Sequence, residues 1–158
     1  MATWQKKVQS IVRWAGAGFK VPTKEKKYYI KSEKREQDWE GNKKILDYPV
    51  IPDVVWLRGK YIKYNFEIEE KTDKWLIGTI MNGIMFAYEK GSEFVLIVKS
   101  EKQAELAWNF LMLLQDKFFV NVDEYYFPKY QIYCFSDKDY IKLKNEMITE
   151  FKSYKLIH

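Results

Sequence analysis

The stretch "PDVVWLRGKYIKYNFEIEEK", residues 52–71, consists of two runs of β-branched and aromatic residues on either side of an Arg58-Gly59 pair. Such runs around a short turn predict an antiparallel β-hairpin. Side chains in the second run alternate between two faces of the predicted strand. The apolar face holds Ile62, Tyr64, Phe66 and Ile68, and the polar face holds Lys63, Asn65, Glu67, Glu69 and Lys71. The hairpin therefore carries carboxylates where a buried sheet would carry apolar side chains.

The segments around this hairpin predict an α/β fold. Apolar residues at helical spacing predict helices over 3–15, 74–91, 101–118 and 137–156. Further strands are expected within 19–32, 93–100 and 129–136, and the charged stretch 33–44 is expected to be a loop. Because 94–98 is continuously apolar, it predicts a parallel strand buried on both faces. The interpretation is one α/β domain over residues 1–158, with a mixed β-sheet flanked by helices.

Several single residues in these elements have predicted roles. Thr72-Asp73 and Ser100 are expected to cap the helices that follow them, and Gly91 is expected to end a helix. Lys74 and Thr79 could approach the carboxylates of the hairpin from the helix over 74–91, but the preferred interpretation is that they are ordinary surface residues. The apolar stripe in the helix over 101–118 is expected to lie in the core, and its members are Trp108, Phe110, Leu111 and Leu114.

Composition excludes several classes of site. With 158 residues, 47% of them hydrophobic, the chain is long enough for one well-covered core and short for two. A single cysteine, Cys134, excludes an internal disulfide and paired-cysteine metal or redox sites. The only histidine is His158, at the end of the sequence, which argues against Ser/His/Asp triads and His-rich zinc sites. Without a secretory leader or a membrane-spanning apolar run, a soluble, intracellular (cytoplasmic) protein with no membrane partner is expected.

The net charge of +5 is unevenly distributed along the chain. Residues 1–44 hold 12 Lys or Arg against 5 Asp or Glu, whereas the rest of the chain is slightly acidic. A basic N-terminal part suits a polyanion such as nucleic acid, although excess lysine also serves solubility. The residues predicted to contact nucleic-acid phosphates are Lys6, Lys7, Arg13, Lys24, Lys26 and Lys27.

The carboxylates of the hairpin suggest a metal site. Asp53 and Glu67 flank the predicted turn, and cross-strand neighbours lie roughly 5 Å apart, so the two can share a cation if the register allows it. Two carboxylates this close repel each other unless a divalent ion neutralises them. Oxygen ligands favour Mg²⁺ or Mn²⁺, which also bind substrate phosphate. Glu69 and Lys71 follow on the same face, where such a side chain can position an attacking water.

Together, "IPDVV" (residues 51–55) and "FEIE" (residues 66–69) resemble the motif of the PD-(D/E)XK nuclease superfamily. In that family a proline-aspartate precedes a turn, and an acidic residue, an apolar residue and a third functional residue follow in the next strand. Glu69 stands where lysine is more frequent, which is a known ExE variant. Aligning Glu69-Glu70-Lys71 instead restores the lysine but puts a glutamate in the usually apolar middle position.

The resemblance extends to the order of elements. The family's αβββαβ core, a restriction-endonuclease-like fold, matches the order over residues 3–99, and "IPD" with an opening helix followed by Gly-Phe is similar to archaeal Holliday-junction resolvases. It implies a Mg²⁺-dependent DNA endonuclease. Its implied metal ligands are Asp53, Glu67 and the backbone carbonyl of Ile68, and its implied catalytic residues are Asp53, Glu67, Glu69 and Lys71.

One departure from the family concerns the first helix, which has no acid where many members have a glutamate that binds metal. Gln5 or Gln9 could fill that position, as could Glu25, Glu33, Glu36 or Glu40 from the following segment. The alternatives to an active enzyme are an inactive nucleic-acid-binding protein on the same fold and a small protein-interaction domain. A homodimer is a further expectation, because nucleases that cut both strands often pair.

Overall fold

The computed structural model describes residues 3–17, 52–58, 61–118 and 127–136. Its helices are α1 (Trp4–Ala17), α2 (Asp73–Lys90) and α3 (Glu101–Leu113), and α3 continues into a π-helical turn over Leu114–Phe118. Its strands are β1 (Val54–Arg58), β2 (Tyr61–Glu69), β3 (Glu93–Val98) and β4 (Tyr130–Cys134). The fold is α/β, as predicted. The strand expected within 19–32, the loop 33–44 and the helix over 137–156 lie outside the described residues.

The four strands form one mixed sheet in the order β1-β2-β3-β4. β1 pairs antiparallel with β2, which confirms the hairpin, and the register shifts between Trp56 and Leu57. β2 and β4 flank β3, and both pairings are parallel. Because β3 has a neighbour on each side and helices over both faces, five of its six residues are buried, as its apolar run predicts.

Helices cover both faces of the sheet. α1 packs on the face that carries Tyr64, Phe66 and Ile68, and its buried residues there are Trp4, Val8 and Val12. The indole nitrogen of Trp4 donates a hydrogen bond of 3.1 Å to the carbonyl of Phe135, and Trp56 donates one of 3.2 Å to the carbonyl of Val12. The opposite face packs against α2 and α3, with Leu76, Ile80, Ile84, Ala107 and Leu111 in the second core cluster.

The ends of α2 and α3 mostly follow the predicted chemistry. Ser100 and Gln103 form a capping box at the start of α3, and Gly91 adopts a left-handed conformation (φ 72°) at the end of α2. Thr72 occupies the N-cap position of α2, but its side chain makes no capping hydrogen bond. Asp73 has a φ of 53°, an uncommon conformation for a residue other than glycine. The chain therefore turns sharply as it leaves β2.

Two predictions about side-chain exposure are wrong. Leu111 and Leu114 are buried, but Trp108 is 47% exposed, with its ring 5.5 Å from that of Tyr130. A helix on a sheet buries only one stripe, and the stripe of α3 passes through Ala107 and Leu111 instead. Thr79 is half-buried and faces the sheet, so it is not an ordinary surface residue.

Candidate functional site

The carboxylates of the hairpin meet at one edge of the sheet. β2, β3 and β4 run in the same direction, so their C-terminal ends share an edge, and β1 begins at that edge because it runs antiparallel to β2. Asp53 lies in a bend directly before β1, not within the strand as predicted. The β1–β2 pairing ends with Val54 opposite Phe66, and the next residues beyond this pair are Asp53 and Glu67. The register thus allows the neighbouring placement that a shared cation requires.

Asp53 is tied to the hairpin and to α1. Its carboxylate Oδ2 accepts a 2.8 Å hydrogen bond from the backbone N–H of Ile68, and its backbone carbonyl accepts one of 2.9 Å from Gln9 Nε2. The carboxylate thereby satisfies a strand N–H at the point where the β1–β2 ladder ends. Asp53 is consequently held by contacts with two elements, β2 and α1.

Glu67 and Glu69 are both only 8% exposed. They lie on the polar face of β2 beneath α2, as the contact of Glu69 with that helix shows. Opposite them in β3 are Leu96 and Val98, which are fully buried apolar residues. Carboxylates are rarely buried this far unless they are paired, hydrogen-bonded or bound to a metal. Two carboxylates of β2 therefore lie largely out of contact with water.

Glu69 accepts hydrogen bonds from three donors. Thr79 Oγ1 donates to Oε1 at 2.9 Å, while Gln5 Nε2 and the backbone N–H of Lys71 approach Oε2 at 3.2 and 3.3 Å. Glu69 is thus an oriented carboxylate in a network that joins α1, β2 and α2.

Gln5, one of the candidates for the position of the missing acid, contacts the end of β2. Its Nε2 donates to the Ile68 carbonyl at 3.1 Å as well as to Glu69. Gln9, one helical turn further along α1, contacts the backbone of Asp53. Both candidates from α1 therefore reach the site, and Gln5 contacts the very carbonyl that the resemblance implies as a metal ligand. The candidates Glu25, Glu33, Glu36 and Glu40 lie outside the described residues.

Lys71 sits just beyond the carboxylates, and its ammonium group contacts an aromatic ring. Lys71 Nζ lies 4.4 Å from the centroid of the Trp75 ring on α2. The backbone at Lys71 is fixed on both sides, since its N–H contacts Glu69 and its carbonyl accepts a 2.8 Å hydrogen bond from Gln103 Nε2. A catalytic role for Lys71 stays a prediction.

The residues predicted to bind nucleic acid are only partly described. Lys6 and Lys7 are exposed on α1. Arg13 belongs to α1, but its side chain, like Lys24, Lys26 and Lys27, lies outside the described residues. Their contact with nucleic acid stays a prediction.

The donor set can be compared with the needs of Mg²⁺ or Mn²⁺. Within the described ranges, no three His, Cys, Asp or Glu side chains are grouped so as to hold a metal ion. Mg²⁺, however, is usually bound through one or two carboxylates, with waters and substrate phosphate completing its shell. Asp53 and Glu67 supply two carboxylates, and the carbonyl of Ile68 supplies a third protein oxygen. All three are oxygen donors of the kind that Mg²⁺ prefers.

Sequence reasoning missed one structural residue of the site. Gln103 is buried and uses its amide oxygen to accept from the N–H groups of Lys99 and Ser100, while its amide nitrogen holds the carbonyl of Lys71. The capping-box spacing after Ser100 was the available signal, but it indicated only a helix start. The link to Lys71 depends on the packing of α3 beside the end of β2.

No protein-family model, curated protein or solved structure matches this chain. The resemblance to PD-(D/E)XK nucleases thus rests on the motif and on the order of elements. No helix in the described part of the chain combines the length and the apolar character needed to cross a membrane.

Proposed function

We propose that this protein is a metal-dependent DNA endonuclease, with Asp53 and Glu67 as ligands of a Mg²⁺ or Mn²⁺ ion. The observation that supports the proposal is the register of the β1–β2 hairpin, whose terminal pair, Val54 with Phe66, is followed by Asp53 on one side and Glu67 on the other. The PD-(D/E)XK-like motif, which spans both residues, supports hydrolysis of a phosphodiester bond. The choice of DNA rests on that resemblance and on the basic residues of α1.

In this proposal, each residue of the site has a separate role in hydrolysis. Asp53 and Glu67 would hold the ion, and the carbonyl of Ile68 would add an oxygen ligand. The ion would supply Lewis-acid stabilisation of the phosphate and a water of lowered pKa. Glu69, oriented by Thr79 and Gln5, would accept a hydrogen bond from the attacking water and align it. Lys71 would stabilise charge that develops on the phosphate oxygens.

The second candidate is a non-catalytic nucleic-acid-binding protein on the same fold. It is favoured by the contact of Gln5 with the Ile68 carbonyl and with Glu69. The Gln5 amide donates to two oxygen atoms that would otherwise be available to a metal ion. Both oxygens therefore have a hydrogen-bond partner without an ion. The two candidates differ in one measurable respect, which is metal-dependent strand cleavage.

The test uses supercoiled plasmid and branched or single-stranded oligonucleotides with Mg²⁺ or Mn²⁺, with EDTA as the metal-free arm. Asp53→Asn keeps an oxygen that can accept from Ile68 N–H but removes the charge, and Glu67→Gln does the same at the facing position. We expect each to lower cleavage by ~100-fold or more, because loss of groups outside the first coordination shell already costs about 10–100-fold. Calorimetric titration with Mn²⁺ should show weaker binding in both variants.

Glu89→Gln is the matched control, since Glu89 is an exposed carboxylate near the far end of α2. It should cleave at the wild-type rate. Cleavage by Asp53→Asn at an undiminished rate would contradict the assignment. DNA binding without cleavage in the wild type, on all these substrates, would favour the non-catalytic alternative.

A further inference from the structure

Trp75, in the first turn of α2, is 57% exposed, more than any other large hydrophobic side chain in the described ranges. An indole is a large apolar surface, and most such rings are largely buried in folded proteins. Single exposed apolar residues are common and need no explanation by themselves. Trp75 differs from such residues because two lysines lie beside its ring and because it is one helical turn from Thr79.

Two lysines surround the Trp75 ring. Lys71 Nζ lies 4.4 Å and Lys74 Nζ 5.9 Å from the ring centroid. Both distances fall within the range of cation–π attraction. An exposed aromatic ring accompanied by ammonium groups combines the two features by which proteins hold single-stranded nucleic acid, which are base stacking and phosphate neutralisation.

The position of Trp75 links it to the carboxylates. Thr79, which donates to Glu69 Oε1, follows Trp75 by four residues on α2. Residues four apart on a helix lie on the same side, with Cβ atoms about 5–6 Å apart. Trp75 consequently lies about one helical turn from the residue that orients Glu69.

The backbone that carries Lys71 is also held in place. Its N–H contacts the Glu69 carboxylate, and its carbonyl accepts the hydrogen bond from buried Gln103 on α3. A preorganised platform loses less conformational entropy when a ligand is bound. The segment between β2 and α2 therefore presents its lysine and the indole in a defined arrangement.

We infer that Trp75 is a stacking platform for an unpaired base of a DNA substrate, with Lys71 and Lys74 neutralising the adjacent phosphates. This inference rests on the proposed function and deepens it, because it names the substrate class: DNA with an unpaired nucleotide next to the scissile phosphate. Bases within a continuous duplex are stacked on each other and offer no free face to the indole. The platform thus selects single-stranded or branched DNA over duplex.

The test measures DNA binding in EDTA, so that it does not depend on cleavage. Fluorescence anisotropy compares a labelled single-stranded oligonucleotide with the same sequence as a duplex. Trp75→Ala should weaken single-strand binding by about 10- to 100-fold, the range expected for loss of one stacked base. Duplex affinity should change less than about twofold, because phosphate contacts remain. Trp75→Phe, which keeps an aromatic face, should recover most of the single-strand affinity.

Tyr88→Ala is the control, because Tyr88 is an aromatic residue on the same helix, 45% exposed and about 20 Å further along it. It should leave both affinities unchanged. Equal losses on single strand and duplex in Trp75→Ala, no loss at all, or an equal loss in Tyr88→Ala would each overturn the inference, as would a wild type that does not bind the single strand. If the protein binds single strands selectively but does not cleave DNA in the presence of metal, base stacking on Trp75 would be supported and the endonuclease proposal would be contradicted.

Discussion

Asn65 and Glu69 occupy the same face of β2, four residues apart, and both are buried beneath α2. Each connects the strand to that helix by one hydrogen bond: Asn65 donates to the carbonyl of Gly83, and Glu69 accepts from the hydroxyl of Thr79. One residue is neutral and lies mid-strand, whereas the other is a carboxylate at the strand end. The comparison contrasts a buried polar group whose hydrogen bonds stabilise the fold with a buried carboxylate whose desolvation costs folding free energy.

The contacts of Asn65 form an internal bridge between elements. Its Nδ2 donates to Gly83 at 3.0 Å, and its Oδ1 accepts from Ser92 Oγ at 2.6 Å. These bonds connect β2, α2 and the residue before β3, and Asn65 is fully buried. A buried polar network whose members are paired specifies one arrangement of the core.

Glu69 has three side-chain hydrogen bonds against two for Asn65, but its burial also carries the cost of a charged group. It is a buried carboxylate two residues from Glu67, with Asp53 opposite that residue, and like charges at short distance repel each other. Three donors offset part of this cost. Buried charged groups that cost stability are typical of functional sites. The following predictions test this difference, from the largest expected effect to the smallest.

Gly83→Ala tests the close approach that the Asn65 bridge requires. A Cβ at Gly83 would lie 2.1 Å from a ring carbon of Phe94, which is fully buried and closely packed. We expect a loss of about 3 kcal/mol in the free energy of unfolding, measured by urea denaturation. Gly78→Ala is the control on the same helix: a Cβ there meets nothing within 4 Å, and stability should rise by about 0.5–1 kcal/mol. Equal effects at both glycines would contradict the packing argument.

Asn65→Ala removes the bridge itself. The carbonyl of Gly83 and the hydroxyl of Ser92 would lose their partner in a buried place, at a cost of about 2 kcal/mol. Denaturation curves should show this loss, whereas Asn109→Ala, at an exposed position on α3, should change stability by less than about 0.5 kcal/mol. A neutral Asn65→Ala would mean that the bridge does not hold α2 on the sheet.

Gln5→Glu adds a carboxylate where the resemblance lacks one. The new charge would face Glu69 and the Ile68 carbonyl, both acceptors, so we expect a loss of about 1 kcal/mol in EDTA. Mg²⁺ or Mn²⁺ should reverse this loss, and the metal-induced rise in melting temperature should exceed that of the wild type. Gln115→Glu, at an exposed position, is the control and should show neither effect. If metal fails to rescue Gln5→Glu, the edge does not bind a divalent ion.

Glu69→Gln should have the smallest effect on the free energy of unfolding. It should stabilise the protein, whereas Asn65→Ala should destabilise it. The amide can accept from Gln5 and Lys71 through its oxygen and donate to Thr79, whose hydroxyl can reverse. Removal of a buried charge should then raise the free energy of unfolding by about 0.5 kcal/mol in EDTA. Metal-dependent cleavage should fall by about 10-fold or more. Exposed Glu105→Gln should change neither quantity, and a destabilised Glu69→Gln would place Glu69 with Asn65 as a structural residue.

Local patterns predicted much of the fold. Alternation in residues 61–69 predicts β2 and sorts Glu67 and Glu69 onto one face, because successive strand side chains point to opposite sides. The continuous apolar run of β3 predicts its parallel, buried position, and Ser100 with Gln103 predicts the start of α3. These inferences depend on neighbours within a few residues, so the sequence contains all the information they need.

The site was predicted only in part, because its contacts join distant segments. The spacing of Asp53 and Glu67 around a turn predicts that they meet, but the hydrogen bond of Asp53 to Ile68 depends on where the β1–β2 ladder ends. Gln5 was one of six candidates for the position of the missing acid, and only the packing of α1 on the sheet brings it to Glu69. An amide has no charge pattern that would single it out in a sequence.

Among the described residues, the sequence by itself determined the strands, the helices and the gathering of Glu67 and Glu69 on one face of β2, since periodicity and turn chemistry are local properties. Only the tertiary structure decided which side chains hold those carboxylates, that Thr79 faces Glu69, and that Trp75 remains in solvent beside Lys71. These outcomes depend on how α1, α2 and α3 pack on the two faces of the sheet. Packing of that kind is set by shape and burial summed over the whole molecule, which no single stretch of sequence contains.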